Sequence, residues 1–402
     1  MIVFLFWLCV ALILYVYILY PVILYLLARL FFMPLQGSKD ETLPLPTVTL
    51  LISAYNEEAV IAQKIENSLA IDYPAGQLQI LVAVDGQEDH TYEIVQKFAT
   101  QGVDLSYSPE RKGKINAIQR GVKAARGDII VLTDANTFFA PDALRSLMAP
   151  LADPEVGAVS GAKVIAQQGD SLANSEGSYW KYESFIKKQE TRLGSCTGVS
   201  GEILALRRTL FESPPPRLIN DDFFLAMQVL RKGYRVVYAP HAMTYERISP
   251  SAKDEATRRA RIAAGRYQAL WMGARLLPIN KPQLIWQVFS HKFLRLIVPF
   301  AMLGAFLANL AAVLWPVKDE AYAWLRLSGT AGYVWLALQV LFYGIAWLGS
   351  RLQHKQKASS LEKILYLPGF LVNSNLAAVS GLILYLSGRQ TNLWQRVARQ
   401  LD

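Results

Sequence analysis

The chain has 402 residues, of which 52% are hydrophobic and only 18% are charged, and its formal net charge is +9. A globular protein carries about a quarter charged residues, so this composition excludes a disordered chain, a coiled coil and a simple cytosolic enzyme. The basic excess is interpreted as cytoplasmic-side Lys and Arg attracted to anionic lipid headgroups, not as nucleic-acid binding. Cys9 and Cys196 are too few for a disulfide framework and are expected to be reduced thiols.

Four apolar segments predict membrane crossings of about 20 residues each. Residues 1–33 are too long for a signal-peptide core and lack a basic start and a cleavage site. The other segments lie at about 293–316, 330–349 and 364–386. They divide the chain into a transmembrane helix (1–33), a cytosolic domain (36–275), an interfacial helix (276–292), a C-terminal membrane region (293–388) and a tail (389–402).

Basic residues predict the orientation of these segments, because cytoplasmic loops are rich in Lys and Arg. Arg29, the large domain and the loop 351–363 are expected on the cytoplasmic side. Four crossings would then put the basic tail outside, against the rule. The last segment, which contains Pro368-Gly369, is therefore expected either to cross or to re-enter. The sequence predicts a multi-pass cell-membrane protein of the bacterial plasma-membrane type, with a cytoplasmic catalytic domain.

Between the membrane segments, β-rich apolar runs alternate with helical patterns. This alternation predicts an α/β domain with a parallel sheet between two layers of helices, and such folds bind ligands beyond the carboxyl ends of their strands. The predicted strands cover residues 47–53, 78–84, 103–107 and 128–132, and the predicted helices cover 59–69, 91–100 and 115–125.

Polar residues follow three of these strands, with Asn56 and Glu57 after the first, Asp85 after the second and Asp134 after the fourth. One such residue is often only a helix cap. Three polar strand ends in one crevice indicate a site for a polar, phosphorylated ligand.

The segment Asp134-Ala-Asn136 has two explanations on its spacing alone. Two oxygen-bearing side chains suit a hard divalent cation whose other ligands are phosphate and water. An Asx turn ahead of Pro141 is the alternative. The basic run from Arg111 to Lys114 likewise either neutralises a diphosphate or forms a solvated turn.

Seven segments from about residue 45 to 275 together resemble the membrane-bound family 2 inverting glycosyltransferases, which include cellulose, chitin and hyaluronan synthases and bacterial exopolysaccharide enzymes. In chain order they are LISAYNEE, VAVDG, RKGKINAIQRG, VLTDANT, TGVSGEILALRR, NDDFFLAMQVLRKGYRVVYAP and RRARIAAGRYQALW. The flanking membrane segments fit the same architecture.

The resemblance implies a GT-A (Rossmann-like) fold that binds a nucleotide sugar, usually a UDP-sugar, with Mg²⁺ or Mn²⁺. An amide stands where the family's metal motif has its second acid, which removes one negative charge but leaves a carbonyl ligand. The matching positions are Tyr55, Glu57 and Asp85 for the uridine, Lys114 for the diphosphate, and Asp134 with Asn136 for the metal.

The resemblance also implies the groups that carry the transfer. Asp222 matches the catalytic base, with Asp221 in the neighbouring acid position, and adjacent acids raise one another's proton affinity. Without the surrounding match, Asn-Asp-Asp ahead of an apolar helix would be an N-cap. Arg261 matches an arginine that offsets charge on the leaving diphosphate. Arg258 replaces the family's Gln, and Ile262 replaces the Trp that stacks the acceptor sugar.

The acceptor is the least defined part. Trp180 or Trp271 is a candidate stacking platform or merely an interfacial or core aromatic, and Arg258 lies beside the acceptor position. A growing exopolysaccharide fits the family, whereas the missing Trp favours a lipid or short acceptor. The polar cluster 373–375 offers thin support for an export path, and export or accessory subunits remain open as partners.

Two other classes of protein are alternatives to an enzyme. A non-catalytic nucleotide-sugar receptor would be expected to lack the base or the metal ligands, yet all are present. A transporter would be expected to show a repeated half, which the sequence lacks. His241 is expected to be structural, and His291 is expected at the membrane interface without a chemical role.

Overall fold

The structure is a computed structural model that describes residues 1–36, 44–86, 88–165, 171–246, 252–315, 326–327, 329–352 and 360–388. The predicted tail 389–402 and most of the loop 351–363 lie outside the described residues.

Eight strands form one mixed sheet in the described part of the chain, in the order β3-β2-β1-β4-β7-β6-β8-β5. β1 to β4 are parallel, as predicted, and β6 is parallel to β8, whereas β7 runs antiparallel to β4 and β6, and β5 antiparallel to β8. The bounds are β1 Val48–Ala54, β2 Leu78–Asp85, β3 Val103–Ser108, β4 Ile129–Asp134, β5 Thr137–Phe139, β6 Val156–Ile165, β7 Leu204–Arg207 and β8 Arg235–Glu246.

Helices cover both faces of this sheet. β1 is buried along its whole length, as expected for a central strand with two covered faces. The predicted helix 91–100 is divided, because a 3₁₀ turn at Ala99–Gln101 follows the α-helix. The α-helices of the domain are α3 Ile61–Leu69, α4 Thr91–Gln96, α5 Lys114–Ala124, α6 Ala143–Met148, α7 Ser171–Arg192, α8 Asp221–Arg231 and α9 Ala252–Met272.

Four helical segments are long and apolar enough to cross a membrane, at Ile2–Leu30, Pro282–Leu314, Thr330–Arg351 and Pro368–Leu386. They correspond to the four predicted segments. The helices in these regions are α1 Ile2–Leu14, α2 Tyr20–Leu30, α10 Pro282–Val288, α11 Leu294–Leu314, α12 Thr330–Leu352 and α13 Ser360–Leu386.

Two details of the apolar segments add to the sequence-based expectation. A π-helical turn at Phe289–Phe293 joins α10 to α11, so the expected boundary between residues 292 and 293 falls inside one continuous helical segment. α13 continues through Pro368 without a break, because neighbouring helices support a proline inside a membrane helix.

The membrane helices pack directly on the sheet domain. The hydrophobic core on the α5, α8 and α9 side of the sheet includes Leu296 of α11 and Ala378 of α13. α13 approaches α9 so closely that a β-carbon at Gly381 would lie 2.6 Å from the β-carbon of Ala263 and 2.7 Å from the carbonyl oxygen of Ala260. Small residues therefore determine how this membrane helix contacts the helix that carries Arg258 and Arg261.

Replacing Gly381 by Leu is expected to separate α13 from α9 and to lower stability by about 1–3 kcal/mol through overpacking. The measurement is thermal unfolding of the purified chain in detergent. Gly344→Leu is the matched control, because a β-carbon at Gly344 on α12 meets nothing within 4 Å. Equal melting temperatures for the two variants would contradict the close contact.

Candidate active site

A cavity of about 810 Å³ lies between the carboxyl edge of the sheet, α9 and the membrane helices. The structure brings together around it most of the residues that the sequence singled out. Tyr55 and Asp85 are not in its lining. The predicted site residues that line it are Glu57, Lys114, Asp134, Asn136, Trp180, Asp221, Asp222, Arg258 and Arg261.

Asp85 is buried at the end of β2 and holds the loop that precedes Lys114. Its carboxylate accepts the backbone N–H of Lys112 at 3.0 and 3.2 Å and that of Gly113 at 2.7 Å. Gly113 has a φ of 91°, a left-handed conformation that favours glycine. α5 begins at the next residue, so Asp85 sets the position from which the Lys114 side chain extends.

Tyr55 and Asn56 form a polar surface just past β1. The Tyr55 hydroxyl donates to Glu88 at 2.5 Å, and the guanidinium carbon of Arg111 lies 3.9 Å from the centre of the Tyr55 ring. Burial and the Glu88 hydrogen bond raise the pKa of Tyr55 to about 12. Asn56 also contacts Glu88 and has a φ of 53°, which is uncommon for a non-glycine residue. The backbone N–H of Glu57 donates to Thr91 at 2.8 Å.

Asp134 and Lys114 form an ion pair in the cavity wall, with the lysine Nζ 2.7 Å from the carboxylate Oδ1. Burial lowers the pKa of Lys114, but the carboxylates of Asp134 and Asp221 outweigh it and raise that pKa above its usual range. Lys114 therefore stays cationic, as a ligand for a diphosphate must.

The oxygens at the end of β4 fit a divalent cation that shares its ligands with a diphosphate. Asp134 and Asn136 both line the cavity and supply one carboxylate and one amide oxygen. Among the described residues, no group of three His, Cys, Asp or Glu side chains could hold a metal ion by itself. Mg²⁺ and Mn²⁺ are commonly bound through one or two protein oxygens together with substrate phosphates.

Lys64, which the sequence interpretation missed, supports the Asp134–Thr137 loop from beneath. It is fully buried, and its ammonium donates to the Thr137 carbonyl and, at 3.3 Å, to the Thr133 hydroxyl. Burial, partly opposed by Asp134, lowers its pKa to about 7. The available signal was its helical spacing, because Lys64 shares the buried face of α3 with Ile61 and Ile65.

Replacing Lys64 by Met is expected to lower kcat about tenfold, because the Thr137 carbonyl loses its donor and the loop carrying Asn136 is no longer fixed. Methionine fills a similar volume, so the folded chain is expected to remain. Gln63→Met is the control, since Gln63 is the exposed preceding residue of α3. Equal turnover by the two variants would show that Lys64 does not position the loop.

Asp221 and Asp222 open α8, but the preceding Asn220 does not cap that helix through its side chain. The Asn220 amide instead donates to the Ile262 carbonyl of α9 at 3.0 Å. It also lies against Gly265, where a β-carbon would come within 2.4 Å of it. The Asn-Asp-Asp segment is thus docked onto α9, which favours a site over the simple N-cap alternative.

Asp222 lies in the cavity wall and has a raised pKa. Burial first, and then the neighbouring carboxylate of Asp221, raises its pKa to about 6. Gly201 packs closely against the Asp222 side chain, because a β-carbon on Gly201 would lie 3.2 Å from the Asp222 β-carbon. A carboxylate with this pKa is ionised near neutral pH and still binds a proton well.

α9 brings several arginines to the cavity in different states of pairing. Arg258 and Arg259 both bind the Glu255 carboxylate, at 2.9 and 2.6 Å. Arg259 also donates to the Ser374 hydroxyl of α13 at 2.6 Å. Arg261 acts electrostatically on Lys114 and so lies near the ion pair. Ile262 lines the cavity where the resemblance expects a Trp.

The two candidate tryptophans have different surroundings. Trp180 lines the cavity, with the ammonium groups of Lys163 and Lys187 at 5.6 and 5.9 Å from its ring centre. These distances are in the range of cation–π contacts, so the Trp180 ring also stabilises the two ammonium groups. Trp271 is 84% exposed and does not line the cavity, so it is not a platform there.

The two histidines also differ. His241 is exposed in β8. His291, which the sequence analysis expects at the membrane interface, is fully buried within the protein. Its ring nitrogens lie 2.8 Å from Glu190 and 3.0 Å from Glu183. A continuous helix across residues 289–293 turns His291 inward onto α7, which composition alone did not indicate.

Residues 46–265 match the family described as "Glycosyltransferase like family 2". The chain therefore belongs to this glycosyltransferase family, as the resemblance predicted.

Two curated relatives illustrate the match. The chain is 27% identical over 232 residues to a poly-beta-1,6-N-acetyl-D-glucosamine synthase of Staphylococcus aureus (strain COL), covering 56% of this chain and 55% of the relative. It is 28% identical over 225 residues to an N-acetylglucosaminyltransferase of Rhizobium leguminosarum bv. viciae, covering 51% and 52%. The chain thus spans about half the length of these relatives.

A solved structure with the same fold is a mannosyltransferase from Pyrobaculum calidifontis in complex with GDP-Man and Mn²⁺. The TM-score is 0.71 with 22% identity, and the alignment covers 96% of this chain and 100% of the other. This similarity supports the GT-A fold with its mostly parallel sheet.

Proposed function

We propose that the protein is a membrane-embedded inverting glycosyltransferase that moves a sugar from a UDP-sugar to an acceptor held at the membrane, in exopolysaccharide synthesis. The observation that carries the proposal is a single cavity lined by Asp222, by the Lys114–Asp134 pair and by membrane helix α13. Donor, base and acceptor then meet in one space. The polymer context rests on the two bacterial relatives.

In the proposed reaction the acceptor hydroxyl attacks the anomeric carbon from the face opposite the diphosphate. Asp222 takes the hydroxyl proton as the new bond forms, and Asp221 maintains the proton affinity of that carboxylate. Lys114 and Arg261 offset the negative charge on the departing diphosphate. Because the nucleophile is the acceptor itself, one displacement inverts the configuration at the anomeric carbon.

The donor is assigned to the sheet edge. Tyr55, Glu57 and Asp85 form the uridine end of this proposal, Asp85 acting through the loop that it fixes. Asp134 and Asn136 would hold Mg²⁺ or Mn²⁺ together with the diphosphate. When bound, that ion supplies positive charge to the leaving group.

We propose the cytoplasm for the catalytic domain and the cell membrane for the four apolar helices. Nucleotide sugars are cytosolic, and the basic residue Arg29 lies at the end of the first apolar segment that is nearer to the domain. The domain boundaries proposed from the sequence keep this division, with the C-terminal membrane region extended back to Pro282.

A lipid acceptor is the second candidate, and a specific feature favours it. Phe370, Leu371 and Leu384 of α13 line the same cavity as Asp222. An aliphatic side chain, Ile262, also stands where a stacking Trp is expected. An apolar wall suits a lipid chain better than a row of sugars.

The deciding experiment incubates membranes containing the protein with radiolabelled UDP-sugars and Mn²⁺ or Mg²⁺. Label in insoluble polymer would support exopolysaccharide synthesis, and label in the lipid extract would support the second candidate. The anomeric linkage of the product, compared with that of the donor, tests inversion. If no nucleotide sugar is consumed and EDTA changes nothing, the enzyme proposal fails.

A further inference from the structure

Four cations line the cavity away from the Lys114–Asp134 pair, where α7 and α9 meet the membrane helices. We call them the membrane-end basic cluster: Lys187, Arg266, Lys292 and Arg295. Lys292 lies within electrostatic range of the other three, so they form one group. Lys292 and Arg295 belong to the apolar segment Pro282–Leu314, where ionisable side chains are rare and generally face a binding path or a water-filled cavity.

The two acids near this cluster, Glu183 and Glu190, have polar contacts other than most of these cations. Glu190 lies against His291 and also accepts hydrogen bonds from Tyr20 at 2.7 Å and from the Thr197 backbone at 2.7 Å. The second nitrogen of His291 faces Glu183 at 3.0 Å. Each of these two carboxylates therefore lies against a ring nitrogen of His291.

Glu183 also binds Arg295 directly. The membrane-end basic cluster thus holds four cations against the two carboxylates of Glu183 and Glu190. Positive charge is in excess, and Lys292 approaches Glu183 only at 4.0 Å. Lys187 donates to the neutral Ser200 hydroxyl at 3.0 Å. Buried positive charge in excess is costly unless an anion joins it.

Arg295 points most directly to a ligand for this cluster. The residue is 8% exposed and lines the cavity, yet its Nε and Nη2 have no hydrogen-bond partner among the described residues. Buried polar atoms are almost always hydrogen-bonded, and the guanidinium fork suits the oxygens of a phosphate. Gly198 leaves space for this arrangement, because a β-carbon there would lie 2.9 Å from the Lys292 Nζ.

We propose that the membrane-end basic cluster binds the phosphate of a membrane lipid, whose chain lies along the apolar cavity wall of α13. Phe370, Leu371 and Ala378 form that wall. A group attached beyond the phosphate would extend through the cavity toward Asp222 and present the acceptor hydroxyl. This step rests on the proposed function, whereas binding of the phosphate does not. A lipid that carries both the phosphate and a sugar-accepting hydroxyl would be compatible with both acceptor candidates, the lipid and the growing exopolysaccharide.

The test measures binding of dodecyl phosphate to the purified full chain in a neutral detergent, by equilibrium dialysis without nucleotide sugar. We expect saturable binding that inorganic phosphate competes for more weakly and that dodecanol does not displace. Lys187→Gln and Arg266→Gln are each expected to weaken binding about tenfold through loss of a charged hydrogen bond. Arg266 is only partly buried and lines the cavity, so its replacement is expected to leave the fold intact.

Lys188→Gln is the matched control, because Lys188 adjoins Lys187 on α7 but is exposed to solvent. It should bind dodecyl phosphate as the unchanged chain does. Equal loss in this control, or displacement by dodecanol, would overturn the phosphate site. Inorganic phosphate binding as tightly as dodecyl phosphate would overturn the lipid assignment and indicate a site for free phosphate. Because these readouts need no sugar transfer, an inactive enzyme that still binds dodecyl phosphate would contradict only the proposed function.

Discussion

Replacing Asp222 by Asn is expected to reduce sugar transfer by three or more orders of magnitude, since the amide cannot take the proton from the acceptor hydroxyl. Asparagine has nearly the same shape, so donor binding should persist. The measurement is the initial rate of transfer from UDP-sugar, together with nucleotide binding by the same preparation. Loss of rate with unchanged binding would separate the base from a merely structural acid.

Asp142→Asn provides the control for this substitution, because Asp142 is likewise an acid at the start of a helix but is exposed and does not line the cavity. It should retain full transfer. A nucleotide-sugar receptor or a transporter would tolerate both changes equally. Substantial transfer by Asp222→Asn would therefore remove the base from the proposal.

The pH profile offers an independent check on the same carboxylate. With a pKa of about 6, Asp222 is protonated and unable to act as a base in more acidic solution, so log(kcat/KM) should fall with unit slope below that pH.

The raised pKa of Asp222 also means that the charged form of this carboxyl group lowers the stability of the folded protein. That cost is absent below the unfolded pKa near 3.8 and is complete above about 6. Asp222→Asn should consequently raise the melting temperature at pH 8 but not at pH 3.5.

The parts of the fold that the sequence predicted well are those governed by local pattern. The strands β1 to β4 and their parallel pairing follow from apolar runs that alternate with amphipathic helices. The antiparallel insertion of β7 between β4 and β6 was not predicted, because it depends on contacts between residues distant in the chain. The pattern gives no signal for this arrangement.

The residues of the candidate site also differ in how well the sequence predicted them. Asp134 and Asp222 are recognisable from their motifs, and the structure lines one cavity with both. The partners of Lys64 and His291 were not predicted, because a single polar residue within an apolar helix face has several explanations until its partners are known. In both cases the partners come from distant elements: the β4–β5 loop for Lys64 and α7 for His291.

The role assigned to Asp85 also depends on information beyond the motif. Its position at the carboxyl end of β2 suggested direct contact with a ligand. In the structure, its oxygens are bound to backbone N–H groups of the loop before α5. A buried carboxylate with such partners orders the loop, and the loop in turn presents Lys114. The sequence position of Asp85 identified the correct part of the site. It did not indicate that Asp85 orders the loop that presents Lys114.

Replacing Asp134 by Ala is expected to lower transfer by two to three orders of magnitude and to abolish its response to added Mn²⁺. Two effects contribute. The diphosphate-bound ion loses its only carboxylate ligand at the end of β4, and Lys114 loses the partner that lies 2.7 Å from its Nζ. The measurement is the initial rate as a function of Mn²⁺ concentration after treatment with EDTA.

Asp128→Ala is the matched control for Asp134→Ala, because Asp128 precedes β4 at the opposite end of that strand, where its carboxylate accepts a hydrogen bond from the Thr47 hydroxyl. It should keep the Mn²⁺ response of the unchanged chain. Lys114→Met distinguishes the two contributions, since it removes the ammonium but leaves both protein oxygens for the ion. If Asp134→Ala still responds to Mn²⁺ while Lys114→Met is inactive, then the lysine, and not a metal ion on Asp134, neutralises the diphosphate.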